Sequence, residues 1–254
     1  SHRPKKKRKQ KENTEQSEVR PVDLKEIKLK RAELAKEVDV PSPPFWGPRI
    51  VEDISLQSLP LYLNETMLFH FQWGFKKGRR VTKDLKTWVD EEIRPILHRM
   101  SQLVSEEKIF EPKAAYGYWK AASEGDSVVL FDNGHNTEVA RFTFPRQSRK
   151  DGLSITDFFR DVDSVERDLI ALQVVTIGQR ASDVAREWFS QDKYQDYLYL
   201  HGLGVETTEA LAEYIHKRIR EELGFGHLDN QNVKRMLKQG YRGSRYSFGY
   251  PACP

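Results

Sequence analysis

The chain has 254 residues, a formal charge of +4 and a hydrophobic fraction of 38%. Five Trp, ten Tyr and thirteen Phe exclude a disordered polymer, and no run approaches the roughly 18 apolar residues of a membrane helix. The single cysteine, Cys253, excludes an internal disulfide and a multi-cysteine metal site.

With no apolar leader near Ser1, a reducing, cytoplasmic setting is expected. The chain opens without Met and stops at Pro254 directly after a Gly-Tyr-Pro-Ala-Cys-Pro string. A piece of a longer protein, cut on both sides, is therefore expected. Residues 1–20 carry eight basic and three acidic side chains, so the remaining residues net −1. The basic block Lys5-Lys6-Lys7-Arg8-Lys9 reads as a solvated linker over 1–22, with a nuclear-import or polyanion-binding tag as the other option. The body over 23–254 gives no electrostatic footprint for nucleic acid.

In chain order, 23–37 reads as a charged, weakly amphipathic helix. Val40–Pro48 is proline-rich and extended, a strap whose Phe45 and Trp46 dock on the body. The apolar segment from Asn64 to Phe75 predicts a short buried helix with Asn64 as its N-cap. Residues 82–107 place Leu85, Trp88, Ile93, Ile96, Leu97, Met100, Leu103 and Val104 on one helical face, with a kink at Pro95. Strands follow at Ala114–Lys120, Ser127–Phe131 and Glu138–Phe144, turning at Glu124-Gly125-Asp126 and Asn133-Gly134. The apolar run Asp168–Ile177 predicts a strand buried on both faces and therefore central. Helices are expected at 179–201, 206–223 and 229–238, and loop from Gly240 onward. The sum is an α+β fold, a twisted, mostly antiparallel sheet flanked by helices in a single domain.

Catalytic signals are sparse. Gly202-Leu-Gly204 follows a helix, the wrong context for a dinucleotide fingerprint. No two histidines stand at i, i+4 on one helix, and no Ser, Thr or Cys has a nucleophile motif around it. Glu206, Glu209 and Glu213 share a helix face, most simply a solvated one. The tail from Gln239 to Pro254 threads two arginines and four aromatics through three glycines and two prolines. Such a loop either brings backbone amides and a guanidinium to a ligand or wraps the core.

The string Arg245-Tyr-Ser-Phe-Gly249-Tyr250-Pro251-Ala252-Cys253-Pro254 resembles the Arg-x-x-x-Gly-Tyr-Pro-Ala-Cys-Pro signature of the activation domain of cobalamin-dependent methionine synthase. Pro44–Gly47, Asn64–Phe75 and Leu211–Arg218 resemble further segments of that domain. The resemblance implies a module that binds S-adenosylmethionine and supports reductive methylation of inactive cob(II)alamin. Homocysteine could then again be methylated to methionine. It implies a flavodoxin-like electron donor and a cobalamin-binding module as partners. No Asp-x-His-x-x-Gly cobalamin motif is present, so the corrinoid belongs to another module. Methyl transfer from a sulfonium releases a neutral thioether and needs no general acid. That matches the lack of an acid/base pair, and no catalytic residue is assigned.

By the same resemblance Arg245 clamps the ligand carboxylate, Gly249 and Tyr250 let backbone and ring approach, and Glu209 lies near the ligand end. Either Asn64 or Glu65 meets the amino group, where the family usually has an aspartate. The family's domain also continues past the Pro-Ala-Cys-Pro string. The other readings are a free-standing S-adenosylmethionine-binding accessory protein for a separate corrinoid protein, and a structural domain without a ligand site.

Overall fold

The computed structural model describes residues 39–76, 78, 84–134, 136–147 and 152–254. The expected linker over 1–22 and the helix over 23–37 lie outside the described residues. Among the described residues five strands form one sheet: β1 (Gly47–Val51), β2 (Lys113–Glu124), β3 (Ser127–Phe131), β4 (Glu138–Thr143) and β5 (Asp168–Thr176). Every pairing between them is antiparallel. β2 is the spine: β5 pairs along one edge from Lys113 to Ala121, while β1 and then β3 share the other. The tight turn into β3 is made by Gly125, whose φ of +58° suits a residue without a Cβ. Of the strap's two aromatics Phe45 docks, its ring edge-on to Tyr116 and Tyr118 at 5.6 and 5.0 Å, whereas Trp46 is exposed.

Two expectations are corrected here. The run Asp168–Ile177 is not central: among the described residues β5 pairs only with β2 and is at most half-buried, with Val174 73% exposed. Both of its faces are partly covered: Leu169, Ala171 and Val175 pack with the cluster of Leu211 and Ile215, and Ile170 and Leu172 with that of Val128, Leu130 and Phe144. The central strand is β2, which extends beyond Lys120 to Glu124 because its hairpin with β3 continues there.

The helices are α1 (Leu85–Trp88), α2 (Arg94–Glu106), α3 (Gln179–Ser190), α4 (Tyr194–Glu222) and α5 (Val233–Met236). Between α1 and α2 the chain widens into a π-type turn, Val89–Ile93. Pro95, which has no N–H to donate, sits in the first turn of α2, where that loss costs least. Trp88, Ile93, Met100 and Val104 face the core as their spacing predicts, whereas Leu85 is 54% exposed. The second correction concerns the break between the last two long helices. It falls at 191–193, where Asp192 takes a φ of +59°, and not at Gly202–Gly204. Those glycines lie inside α4, where close packing and not a turn explains them.

α4 is the axis of the molecule. Its Leu200 and Leu203 join a helical core with Leu68, Phe69, Trp73 and Met100. Its Leu211, Ile215 and Ile219 pack on Tyr116 and Tyr118 of the sheet. Each such fully buried side chain contributes about 1.5–3 kcal/mol relative to exposure. At the end of α4, Glu222 accepts hydrogen bonds from the hydroxyls of Tyr116 (2.7 Å) and Tyr118 (2.8 Å). Burial, reinforced by Glu222, pushes the Tyr116 hydroxyl up to about 12. Burial alone would raise Glu222, yet its donors Tyr116, Arg218 and Tyr118 together hold it below the usual carboxylate range.

Candidate ligand-binding site

A cavity of about 550 Å³ opens between the middle of α4, the segment from Tyr62 to Gln72 and the C-terminal tail. That size lies within the range of small-molecule sites. The first wall is a 3-10 turn, Pro60–Tyr62, followed by a π-type turn, Met67–Gln72. Asn64 starts the second turn, its Oδ1 accepting from the Met67 N–H at 3.2 Å, and its side chain lines the cavity. π-type turns are rare and recur at functional sites. This one turns Met67 and Gln72 into the cavity while Leu68 and Phe69 enter the core.

The second wall is α4, which brings Val205, Glu206, Glu209 and Glu213 to the cavity. The expected solvated face is corrected for two of these carboxylates. Glu206 and Glu213 are only 4% and 5% exposed, while Glu209 faces solvent. Glu206 and Glu213 fall in the same stripe as Leu203 and Ala210, so helical geometry turns them inward. Glu206 accepts a hydrogen bond from Gln72 Nε2 at 3.0 Å. Burial pushes its carboxyl above the ordinary range, and neighbouring Glu209 adds to the rise. Glu213 Oε1 is buried without a hydrogen-bond partner.

The tail closes the third side with Arg245, Tyr246, Ser247, Tyr250, Ala252 and Cys253. Reciprocal bonds hold its last turn: Cys253 N–H donates to the Tyr250 carbonyl at 2.8 Å, and Tyr250 N–H to the Cys253 carbonyl at 3.1 Å. Gly249 supplies the φ of +94° that this turn requires, and its N–H also donates to the Cys253 carbonyl at 2.9 Å. Burial raises the Cys253 thiol, which packs as a small apolar group among Val128, Leu130 and Phe144.

Arg245 Nη2 reaches Glu209 Oε2 at 3.3 Å, and its Nε lies 3.6 Å from Glu213 Oε2. Behind it, Arg220 is 1% exposed and pairs with Asp229 at 2.7 Å. The same guanidinium lies 2.8 Å from His216 Nδ1 and 3.5 Å from Glu213 Oε1. Tyr241, at the root of the tail, lays its ring 4.1 Å from the Arg220 guanidinium.

The cavity thus gathers Asn64, Glu209, Tyr250 and Arg245 from three distant parts of the sequence. Gly249 shapes the tail without lining it, and Glu65 points elsewhere. The Glu65 carboxylate takes both Arg94 nitrogens, at 2.8 and 2.9 Å, outside this cavity. Gln72, Glu206 and Glu213 join the site without having been singled out for it. The chemistry on offer is a guanidinium for a carboxylate, buried carboxylates for a cation, and aromatic rings for a flat group. The buried Glu206 carboxylate, whose hydrogen-bond donor is a neutral amide, fits a ligand that brings positive charge. Among the described residues no helix is long and apolar enough to cross a membrane.

Residues 55–254 match the family described as vitamin B12 dependent methionine synthase, activation domain. The chain is 41% identical over 249 residues to methionine synthase of Mycobacterium tuberculosis (strain ATCC 25618 / H37Rv), covering 92% of this chain and 20% of that protein. It is likewise 41% identical over 248 residues to methionine synthase of Mycobacterium leprae (strain TN), again at 92% and 20% coverage. The chain therefore spans about a fifth of the length of the curated relatives it matches. Its fold matches the crystal structure of the MetH reactivation domain bound to AdoHcy, with a TM-score of 0.73 and 24% identity over 92% of this chain and 74% of that one. The chain belongs to the family of vitamin B12 dependent methionine synthase activation domains.

Proposed function

We propose that this chain is the S-adenosylmethionine-binding reactivation module of a cobalamin-dependent methionine synthase. The observation that carries the reading is the cavity, where Arg245 and the α4 carboxylates converge with Asn64 and the tail. The AdoHcy bound by the solved relative supports a ligand of the same chemical class. S-adenosylmethionine, when bound, supplies a methyl group on a positively charged sulfur. Arg245 holds its carboxylate by paired N–H donors. Asn64 meets the amino group through its amide oxygen. Glu209, released from Arg245, faces the polar end of the ligand, and Tyr250 covers it from the tail. Gly249 keeps the tail close, and Glu65 serves the Arg94 pair. These residues position and balance charge; none of them needs to move a proton.

The corrinoid belongs to another module of the same protein, and a flavodoxin-like donor supplies the electron. The module thus serves the methylation of homocysteine to methionine without carrying it out. The relatives hold the matching region as about a fifth of a longer chain. That supports a fused module over a free-standing accessory protein. A cytoplasmic setting follows from the same reading. The test is recovery of the intact protein from its cob(II)alamin form with S-adenosylmethionine and a one-electron donor. Recovery that requires S-adenosylmethionine and slows in Arg245→Ala is expected; recovery indifferent to both contradicts the proposal.

A further inference from the structure

Glu206 is a carboxylate that is 4% exposed, lines the cavity and has a neutral amide, Gln72, as its hydrogen-bond donor at 3.0 Å. Its nearest charged neighbour on α4 is Glu209, another anion, and that neighbour raises its proton affinity further. An anion buried beside a second anion, facing a cavity and served by an uncharged donor, is costly in a folded chain. Costs of this kind concentrate where a ligand completes the site.

The geometry points to Glu206 as the countercharge for the α-ammonium group of the ligand's amino-acid end, an inference that rests on the function proposed above. Three relations carry it. Asn64, on the wall opposite, supplies an amide oxygen but no charge, and that oxygen already accepts from Met67 N–H. Arg245 sits at Glu209, and Glu206 lies one turn away, about 4.5 Å along the helix axis. An amino acid places its ammonium two bonds from its carboxylate carbon, so a carboxylate held at Arg245 leaves the ammonium near that turn. The sulfonium is four bonds away and has no N–H to donate, so a hydrogen-bonding carboxylate suits it less well.

Gln72 is then a positioning residue. Its amide fixes one carboxylate oxygen and leaves the other for the ligand. Gly202 lets Gln72 come that close, because a Cβ there would stand 2.9 Å from Gln72 Cβ.

The experiment is calorimetric titration of the intact protein with S-adenosylmethionine and, separately, with S-adenosylhomocysteine. The neutral thioether keeps the ammonium and lacks the sulfonium. Wild type, Glu206→Gln and Glu206→Asp are compared, with thermal melting of each. Expected is a loss of tenfold or more for both ligands in Glu206→Gln, partial recovery in Glu206→Asp, and no lowering of the Glu206→Gln melting temperature. Unchanged binding overturns the inference, as does a loss confined to S-adenosylmethionine, which would set Glu206 against the sulfonium. Loss accompanied by a lowered melting temperature makes Glu206 structural and also overturns it. Failure of the wild-type protein to bind either ligand would instead remove the proposed function itself, and the inference with it.

Discussion

Gly202 of α4 lies so close to Trp73 that a Cβ at this position would stand 2.8 Å from Trp73 Cδ1. The indole is itself fixed, its Nε1–H donating to the Tyr199 carbonyl at 3.0 Å, so it has little freedom to yield. The glycine therefore sets how near the Met67–Gln72 turn comes to α4, and with it the width of the cavity. Gly202→Ala would gain helix propensity of about 1 kcal/mol but meets an overpacking cost of about 1–3 kcal/mol. The expected result is a lowered melting temperature together with weaker ligand binding. A more stable variant that binds normally would show that the turn adapts freely.

Two carboxylates on α4, the buried Glu206 and the partly exposed Glu222, should shape the pH dependence of stability in opposite directions. Burial makes Glu206 take up its proton more readily in the folded chain than an ordinary glutamate, which titrates at 4.5. Its contribution is therefore fully present below that value and lost as pH rises through the folded pKa. Glu222 has a lowered pKa, so its contribution is present above 4.5 and lost as pH falls through the folded value. Melting temperatures followed from acid to neutral pH should show Glu206→Gln stabilised at neutral pH, with the gain shrinking as pH falls towards 4.5 and absent below it. Glu222→Gln should be destabilised at neutral pH and converge with wild type in acid. Parallel curves for all three proteins would contradict both assignments.

The Arg220–Asp229 pair is more than a surface ion pair, since both side chains are almost wholly buried. Removing one charge leaves the other uncompensated, at a cost of about 3–5 kcal/mol. Asp229→Asn should shift the chemical-denaturation midpoint accordingly. Ligand affinity should fall too, because Tyr241, which lies on the Arg220 guanidinium, roots the tail that carries Arg245. A midpoint within error of wild type would mean that Arg220 finds its countercharge in Glu213, 3.5 Å away.

Much of this site is written in contiguous sequence. The tail from Arg245 to Pro254 folds as a local turn, with Gly249 and the Tyr250–Cys253 bonds inside six residues, so a short string carries its geometry. Asn64 is legible as a cap for the same reason. The buried carboxylates are not, because a charged residue in a mixed stripe looks solvated until a second wall covers it. The stripe itself gave a signal: Glu206 and Glu213 keep helical register with the buried Leu203 and Ala210. Gly202 and Gly204 read as a break because the same residue serves turns and close contacts. Only the position of Trp73 and Ile177 distinguishes the two uses. The edge position of β5 is likewise a property of topology, since an apolar strand looks alike at a centre or against a helix.

The account stands most directly on one measurement, titration of S-adenosylmethionine into the intact protein and into its Arg245→Ala variant. Charged hydrogen bonds of this kind contribute about 1.5–3 kcal/mol each, so the account predicts saturable one-site binding weakened at least tenfold by the substitution. Absence of binding in the wild-type protein, or equal affinity in the variant, would contradict it.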